Sequence, residues 1–294
     1  MANPLAKVKL AVPLEVRVAP DEAGFIEWRT DRLLGPPPKR VWKTGRSARG
    51  CLSRFVRLAT ASDEAIAEFA ASWGVMGFCA SHRLPGVHGQ CPPAHYAQPY
   101  DASGVLPDYL WWRDASEDWR RVAGQMAAIL RLALAIDYGK PGDKTAWDLA
   151  WFGRGPTKGD PHDRLASMIT LLVGSSGMAP RMSWDGGRFV FGLDLGGAAV
   201  PSRREGTIGF TWPRNSLYSV LIAQLAAAVA SGHLVPCTRC GQAFDWEDAG
   251  TYSRSPRSDR GAYCGDECRS DARLLQKSEY MRRRRKGDSD GKAK

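Results

Sequence analysis

The sequence predicts an α+β fold in which helices dominate. Three observations predict it. Residues near the N-terminus alternate between apolar and polar, several later stretches repeat apolar residues at helical spacing, and four cysteines form two close pairs near the C-terminus. We expect a mixed body of residues 1–232, with a ligand-sensing or interaction role, a small cysteine-containing module of residues 233–286, and a disordered tail of residues 287–294.

Composition indicates a folded globular protein with a sizeable core. The 294 residues are 44% hydrophobic and 24% charged. Seven cysteines, an odd number, argue against a secreted disulfide framework and favour a reducing compartment. Lys7, Lys9 and Glu15 interrupt any signal-peptide pattern, and the apolar stretch 219–230 is too short to span a bilayer. We therefore expect a cytoplasmic protein without a membrane partner.

The first predicted elements are short strands. Apolar residues alternate with mostly polar ones from Val8 to Val18, the period of a half-buried strand, and Pro13 implies an edge strand or two short strands. The basic segment 39–49 follows a proline run. It is either an arm that contacts phosphates or a solvated loop between strand and helix, and the solvated loop is favoured because charge runs usually face water.

Helices are predicted next. One covers residues 50–73 with an interruption that Ser62 or Asp63 can cap. A longer one, capped by Asp114 or Ser116 and stopped near Gly139, repeats apolar residues along one face and should be the central core helix.

The second half of the body should add two more helices and a hairpin. Pro161 is suited to the first turn of a helix, and residues 182–191 read as a β-hairpin around Gly186 and Gly187. Residues 208–212 suggest a further strand, and a last long helix should end at Ser231 and Gly232.

A first cluster of metal-ligating residue types lies inside the body. Cys79 and His82 form one pair, and His88 and Cys91 form another, on either side of a Pro-Gly turn. Thiolate and imidazole pairs at this spacing can bind one zinc ion, so the cluster is a candidate second zinc site. The alternative, a loop whose ligands never converge, is favoured because such loose matches are common.

Catalytic motifs are not apparent. The glycine-rich segments 139–145 and 153–159 lack the spacing of a phosphate loop, so we interpret both as loops. Residues 174–177 fall short of a nucleophile elbow, and no H-E-x-x-H pattern occurs. We expect no enzymatic activity.

The strongest signal is the second cluster, formed by Cys237, Cys240, Cys264 and Cys268. The C-x2-C and C-x3-C pairs are separated by enough chain for a hairpin, so all four thiolates can reach one tetrahedral Zn²⁺. Four ligands leave no free thiolate, which makes a structural zinc site a better interpretation than a redox pair.

The order of the module resembles a treble clef: a knuckle turn at Gly241, a hairpin, and a helix with Cys268 in its first turn. The short linker from Ser231 implies that the module is docked against or oriented by the preceding helix. We therefore expect a small C-terminal treble-clef-like zinc finger with Zn²⁺ as its cofactor.

Positive charge suggests an anionic partner. The net charge is +10, and residues 282–286 are five consecutive cations. These cations either contact phosphates or stabilise a helix C-terminus, and the two interpretations weigh evenly. On the first interpretation nucleic acid, DNA ahead of RNA, would be contacted by the arginines of the predicted finger helix, Arg269, Arg273, Arg282 and Arg283.

The finger also resembles a known family. The runs C-x2-C-G-x2-F and R-G-x-Y-C-x3-C-R, with an arginine-rich end, resemble the zinc fingers of uncharacterised bacterial proteins, and are loosely similar to the CGNR-type finger attached to ABATE domains. The segment from Phe69 to Cys79 resembles the same group. The resemblance implies a role in stress-related transcription. We expect a zinc-binding, nucleic-acid-binding regulator, with a protein–protein adaptor as the alternative.

Overall fold

The computed structural model is a mixture of helices and small antiparallel sheets, which confirms the predicted α+β class. The residues that it describes are 8–13, 15–20, 23–30, 42–76, 110–151, 159–176, 178–185, 188–195, 200–204, 207–211, 217–246 and 261–290. Among these residues no helix has the length and apolar composition that a membrane span requires.

The strands are short. In chain order they are β1 Lys9–Pro13, β2 Glu15–Val18, β3 Phe25–Thr30, β4 Trp42–Ser47, β5 Leu110–Ala115, β6 Met178–Asp185, β7 Arg188–Leu195, β8 Val200–Arg204, β9 Thr207–Thr211, β10 Leu234–Pro236 and β11 Ala243–Asp245.

The helices are longer. They are α1 Cys51–Phe55, which continues into a 3-10 helix Val56–Thr60, α2 Asp63–Trp73, α3 Ser116–Asp137, α4 Lys144–Ala150, α5 Pro161–Ser175, α6 Leu217–Ser231 and α7 Asp266–Asp290. The last of these continues through residues 287–290, which the sequence assigns to the tail.

The strands form a three-stranded sheet, β2-β3-β5, and four separate pairs: β1-β4, β6-β7, β8-β9 and β10-β11. Pro13 ends β1, and β2 joins a different sheet, as the proline predicts. The prediction of a solvated loop is wrong for residues 42–47, because β4 pairs there with β1 and its backbone groups find partners in that strand. The predicted hairpin forms as β6-β7, whereas β8 was not expected.

Helix α3 runs through the core, as its apolar stripe predicts. Trp119, Met126 and Ile129 on this helix are fully buried. Phe55 lies 5.7 Å from Phe69 and 6.1 Å from Trp119 between ring centroids, so an aromatic cluster joins α1, α2 and α3.

The predicted cap of α3 is wrong. Ala115 occupies the N-cap and makes no side-chain cap bond. Asp114 belongs to β5, and its carboxylate accepts a hydrogen bond from the Trp119 indole at 3.3 Å, so it is committed to a different contact. The cap of α2 is correct, since the Ser62 hydroxyl accepts from the Ala65 N–H at 3.4 Å.

Helix α4 was not predicted. The sequence predicts a loop over residues 139–145, but Asp143 caps a helix that begins at Lys144, accepting from the Ala146 N–H at 2.8 Å. Helix α5 begins as expected. Asp160 caps it, and Pro161 stands in its first turn, where a missing N–H costs no hydrogen bond.

Gln224 on α6 holds α1 in place. Its side-chain carbonyl accepts from the Leu52 N–H at 3.0 Å, and its amide donates to the Ala48 carbonyl at 2.6 Å. The N-cap residue Gly50 supplies no side-chain bond to α1. The buried amide of Gln224 therefore satisfies backbone groups at the start of α1 and fixes the segment that leads to Arg57.

Candidate metal centre

The two cysteine pairs converge at one point. The Sγ atoms of Cys237, Cys240, Cys264 and Cys268 all lie within 4.8 Å of one another. Cys264 Sγ is 3.7 Å from both Cys240 Sγ and Cys268 Sγ. Tetrahedral coordination at a metal–sulfur distance of about 2.3 Å places sulfurs roughly 3.8 Å apart, so the cluster is compatible with one zinc-sized ion.

The cysteines of the cluster are free thiols. A separation of 3.7 Å between sulfurs greatly exceeds the ~2.05 Å of a disulfide bond. The cluster is therefore a set of four separate thiols that could each bind a metal ion.

The first pair lies on a knuckle between β10 and β11. Gly241 adopts a φ of 74°, and its N–H donates to the Cys237 carbonyl at 2.8 Å. The Cys237 N–H in turn donates to the Gln242 carbonyl at 2.9 Å. Glycine is suited to this left-handed position, and the turn brings both thiols of the pair to one side.

The second pair stands at the start of α7. Cys264 precedes the helix and Cys268 lies in its first turn. The Thr238 N–H donates to the Ala262 carbonyl at 2.7 Å, and the Ala262 N–H donates to the Thr238 hydroxyl at 2.9 Å. These two bonds hold the knuckle beside the segment that enters α7.

The β10-β11 hairpin has two apolar faces. Leu234 and Ala243 belong to the main core, whereas Val235 and Phe244 pack around the cysteines. Alternation along each strand sends neighbouring side chains to opposite faces. The hairpin therefore connects the cysteine cluster directly to the body.

Burial and hydrogen bonding act on the thiols in opposite directions. Burial raises the pKa of Cys237, but the backbone N–H groups of Cys240, Cys264 and Arg239, together with the Cys240 side chain, outweigh it and lower this pKa to about 7. Burial raises the pKa of Cys268 to about 11 and also raises the pKa of Cys264, with the charges of neighbouring thiolates adding to both. A bound divalent cation would favour the thiolate form of all four.

Arg57, from the 3-10 helix of the body, also reaches the cluster. Its Nη2 donates to Cys264 Sγ at 3.0 Å and to Cys268 Sγ at 3.6 Å, and its Nη1 pairs with Glu267. Burial lowers the pKa of Arg57, but these bonds and charges outweigh it and raise the pKa above its ordinary value. No sequence pattern indicates this residue, because its partners are more than two hundred positions away.

The four arginines predicted to contact nucleic acid all lie on α7. Arg273, Arg282 and Arg283 are exposed, whereas Arg269 is half-buried and lies 3.7 Å from an Asp266 carboxylate oxygen. At about 100° per residue, Arg269, Arg273 and Arg283 fall within a quarter of the helix circumference, and Arg282 points to another side.

The other predicted ligands, Cys79, His82, His88 and Cys91, lie outside the described residues.

Fold and site together define an α+β protein with a four-cysteine cluster at the base of a C-terminal helix. Comparisons with protein families, with curated proteins and with solved structures found no match for this chain.

Proposed function

We propose that this chain is a zinc protein in which a structural Zn²⁺, bound by Cys237, Cys240, Cys264 and Cys268, holds α7 in place for binding nucleic acid. The observation that carries the proposal is the spacing of the four sulfurs at the start of α7, which all lie within 4.8 Å of one another, with two separations of 3.7 Å. When bound, zinc would link the hairpin knuckle to the helix. DNA is proposed ahead of RNA as the partner.

The donor set supports zinc and a structural role. Four thiolates suit a soft or borderline ion, and four protein ligands leave no open position for substrate or water. A knuckle on a hairpin, followed by a helix that supplies the second pair, supports the treble-clef assignment. The site is therefore proposed as structural, with no enzymatic role.

The exposed part of α7 supports an anionic partner. Residues 273–284 are all exposed. They include one carboxylate, Glu279, and the five cations Arg273, Lys277, Arg282, Arg283 and Arg284. A helix of this diameter fits the major groove of DNA, and cations on it gain affinity by releasing counterions from phosphates.

The resemblance to CGNR-type fingers supports a regulatory role in transcription. The structure adds a physical reason for such a role: a helix that leaves the body with exposed cations can reach the phosphates of a duplex without a rearrangement of the core.

A protein–protein adaptor is the second candidate, and exposed apolar side chains on the same helix favour it. Leu274 and Tyr280 are 67% and 63% exposed, and Leu275 and Met281 are also exposed. A helix with such side chains can dock in a hydrophobic groove of another protein. In that case the zinc site is purely structural, and binding would withstand high salt.

Fluorescence anisotropy with a labelled duplex of mixed sequence tests nucleic-acid binding. We expect the zinc-loaded protein to bind at about 50 mM salt and to lose affinity steeply by about 200 mM, because counterion release dominates. The variant Arg273→Gln/Arg283→Gln should bind at least ~5-fold more weakly and with a smaller salt slope.

The matched control is Arg131→Gln/Lys140→Gln, which removes two exposed cations of the body and should leave affinity nearly unchanged. A zinc-loaded protein that binds neither DNA nor RNA at about 50 mM salt would refute the nucleic-acid proposal. Equal affinities of the two double variants would contradict the role of α7.

A further inference from the structure

Arg57 connects the body to the metal centre through the second cysteine pair. One guanidinium donates to Cys264 Sγ at 3.0 Å and Cys268 Sγ at 3.6 Å while pairing with Glu267 between them. The residue stands on the 3-10 helix Val56–Thr60, which follows α1 directly. A single side chain of the body therefore contacts two ligand atoms and the first turn of α7.

The contact between Arg57 and the sulfurs can offset the negative charge of a four-thiolate metal site. Four thiolates around a divalent ion leave a net charge of −2, and three of the four cysteines are buried. Placing that charge in a partly buried position costs free energy unless a cation or hydrogen-bond donors offset it. The Arg57 side chain, only 25% exposed, provides both to the more buried side of the cluster.

The local shape of the finger leaves room for the guanidinium. A Cβ atom at Gly265 would lie 2.8 Å from Arg57 Nη2, closer than side-chain carbons approach other atoms in proteins. The chain thus has no side chain at the position where Arg57 reaches the sulfurs. A glycine at position 265 is therefore compatible with the contact between Arg57 and the sulfurs, whereas a larger residue would displace the guanidinium.

We propose that Arg57 is a positioning residue for the metal centre, which strengthens zinc binding from outside the ligand set and makes docking of the finger on the body depend on the metal. The proposal rests on the proposed zinc site. Without the ion, nothing links the knuckle pair to the pair at the start of α7. The sulfurs that Arg57 contacts then lose their fixed position, and α7 loosens from the body.

Zinc affinity, measured by chelator competition, tests whether Arg57 strengthens zinc binding. Arg57→Gln should raise the zinc dissociation constant by about 10- to 100-fold, as loss of an outer hydrogen bond to a ligand commonly does. Arg57→Lys should recover part of the affinity because it keeps the charge without the paired donors. Gly265→Ala, which displaces the guanidinium, should shift affinity in the same direction.

The matched control is Arg54→Gln. Arg54 is exposed and lines the same surface cleft as Arg57, so its loss should change zinc affinity by no more than about twofold. Cobalt substitution adds a spectroscopic readout. The sulfur-to-cobalt charge-transfer band should shift in Arg57→Gln and stay unchanged in Arg54→Gln, because only Arg57 donates to the sulfurs in this comparison.

Hydrogen exchange with and without zinc tests the coupling. In the wild type, zinc should slow exchange both at residues 264–269 and in the 3-10 helix Val56–Thr60. In Arg57→Gln, added zinc should protect the finger alone. If Arg57→Gln does not fold, hydrogen exchange with and without zinc is compared in Arg57→Lys and Gly265→Ala instead.

The outcomes separate this proposal from the one on which it rests. A wild type that binds zinc, together with Arg57 and Arg54 variants of equal affinity and equal cobalt spectra, overturns the role of Arg57 and leaves the zinc site standing. A wild type that binds no zinc overturns the zinc site and this inference together.

Discussion

Asp63 illustrates how one polar side chain joins several elements of the body. Its carboxylate pairs with Arg120 on α3 and accepts from the Gly24 N–H, next to β3, at 3.0 Å. Arg120 also donates to the Ala61 carbonyl at 2.8 Å. Asp63 is the first residue of α2, so its contacts tie that helix to α3 and to the three-stranded sheet.

The contribution of the Asp63 carboxylate to stability depends on pH in a direction that follows from its pKa. Burial raises the pKa of Asp63, but the hydrogen bond and charge of Arg120 and the hydrogen bond from the Gly24 N–H outweigh it, so the folded-state pKa lies below its ordinary value. A depressed carboxyl pKa stabilises the fold above the unfolded-state pKa of about 3.9, and this contribution is lost as the pH falls through the folded-state value.

We expect Asp63→Asn to lower the free energy of unfolding by about 1–3 kcal/mol at neutral pH, because Arg120 and Gly24 lose a charged acceptor. Urea unfolding at several pH values measures it, and the difference from the wild type should narrow below about pH 4. Asp137→Asn, at the exposed end of α3, should change stability by less than about 0.5 kcal/mol. A deficit that stays constant down to about pH 2 would contradict the ionic contribution.

Residues differ in how far sequence can predict their role. The sequence predicts the four clustered cysteines as a set, because each C-x2-C or C-x3-C pair is recognised from neighbouring residues alone. They are Cys237, Cys240, Cys264 and Cys268. Arg57 is not predicted, because its contact with the cluster depends on how the body folds. A long-range hydrogen bond has no sequence pattern of its own.

At the scale of elements, α1 depends on a side chain from another helix. It is short, its N-cap is glycine, and Gln224 on α6 supplies the bonds that a polar cap would make. The two Gln224 hydrogen bonds, of which the one from the Leu52 N–H replaces a polar cap, hold α1 and with it the 3-10 helix that carries Arg57.

We expect Gln224→Met to destabilise the protein by about 1–3 kcal/mol, because methionine keeps the volume but leaves the Leu52 N–H without its acceptor. The Ala48 carbonyl loses one of its two donors and keeps the Cys51 N–H. The midpoint of urea unfolding measures the change. Gln276→Met, the same substitution on exposed α7, serves as the control and should shift the midpoint little. An equal shift for both variants would show that the two Gln224 hydrogen bonds contribute nothing.

Long periodic elements were predicted well and short ones poorly. Helix α3 follows from its apolar stripe, whereas α4 begins in a segment whose glycines indicated a loop. Strand β4 is not predicted for a related reason. The basic side chains of this segment suggest a loop in water, but its backbone groups pair with those of β1. Short strands depend on distant partners more than on their own residues.

At the scale of the whole molecule, the β10-β11 hairpin connects the main core with the cysteine cluster. Its alternating side chains place Leu234 and Ala243 in the main core and Phe244 beside the cysteines. The α+β class and the order of the elements around the cysteine cluster could be predicted, since both follow from local patterns. The pairing of β1 with β4 and of β3 with β5 could not, because each of these pairs joins strands that are far apart in sequence.

The central claim is that Cys237, Cys240, Cys264 and Cys268 bind one zinc ion, and native mass spectrometry with metal analysis of the full chain tests it most directly. We predict at least one zinc per wild-type chain, loss of one zinc in Cys264→Ser/Cys268→Ser, and no loss in Cys51→Ser, which changes a buried cysteine of the main core. A second zinc would assign the predicted ligands Cys79, His82, His88 and Cys91. A wild type without zinc, or a double variant that keeps the full amount, would contradict the account.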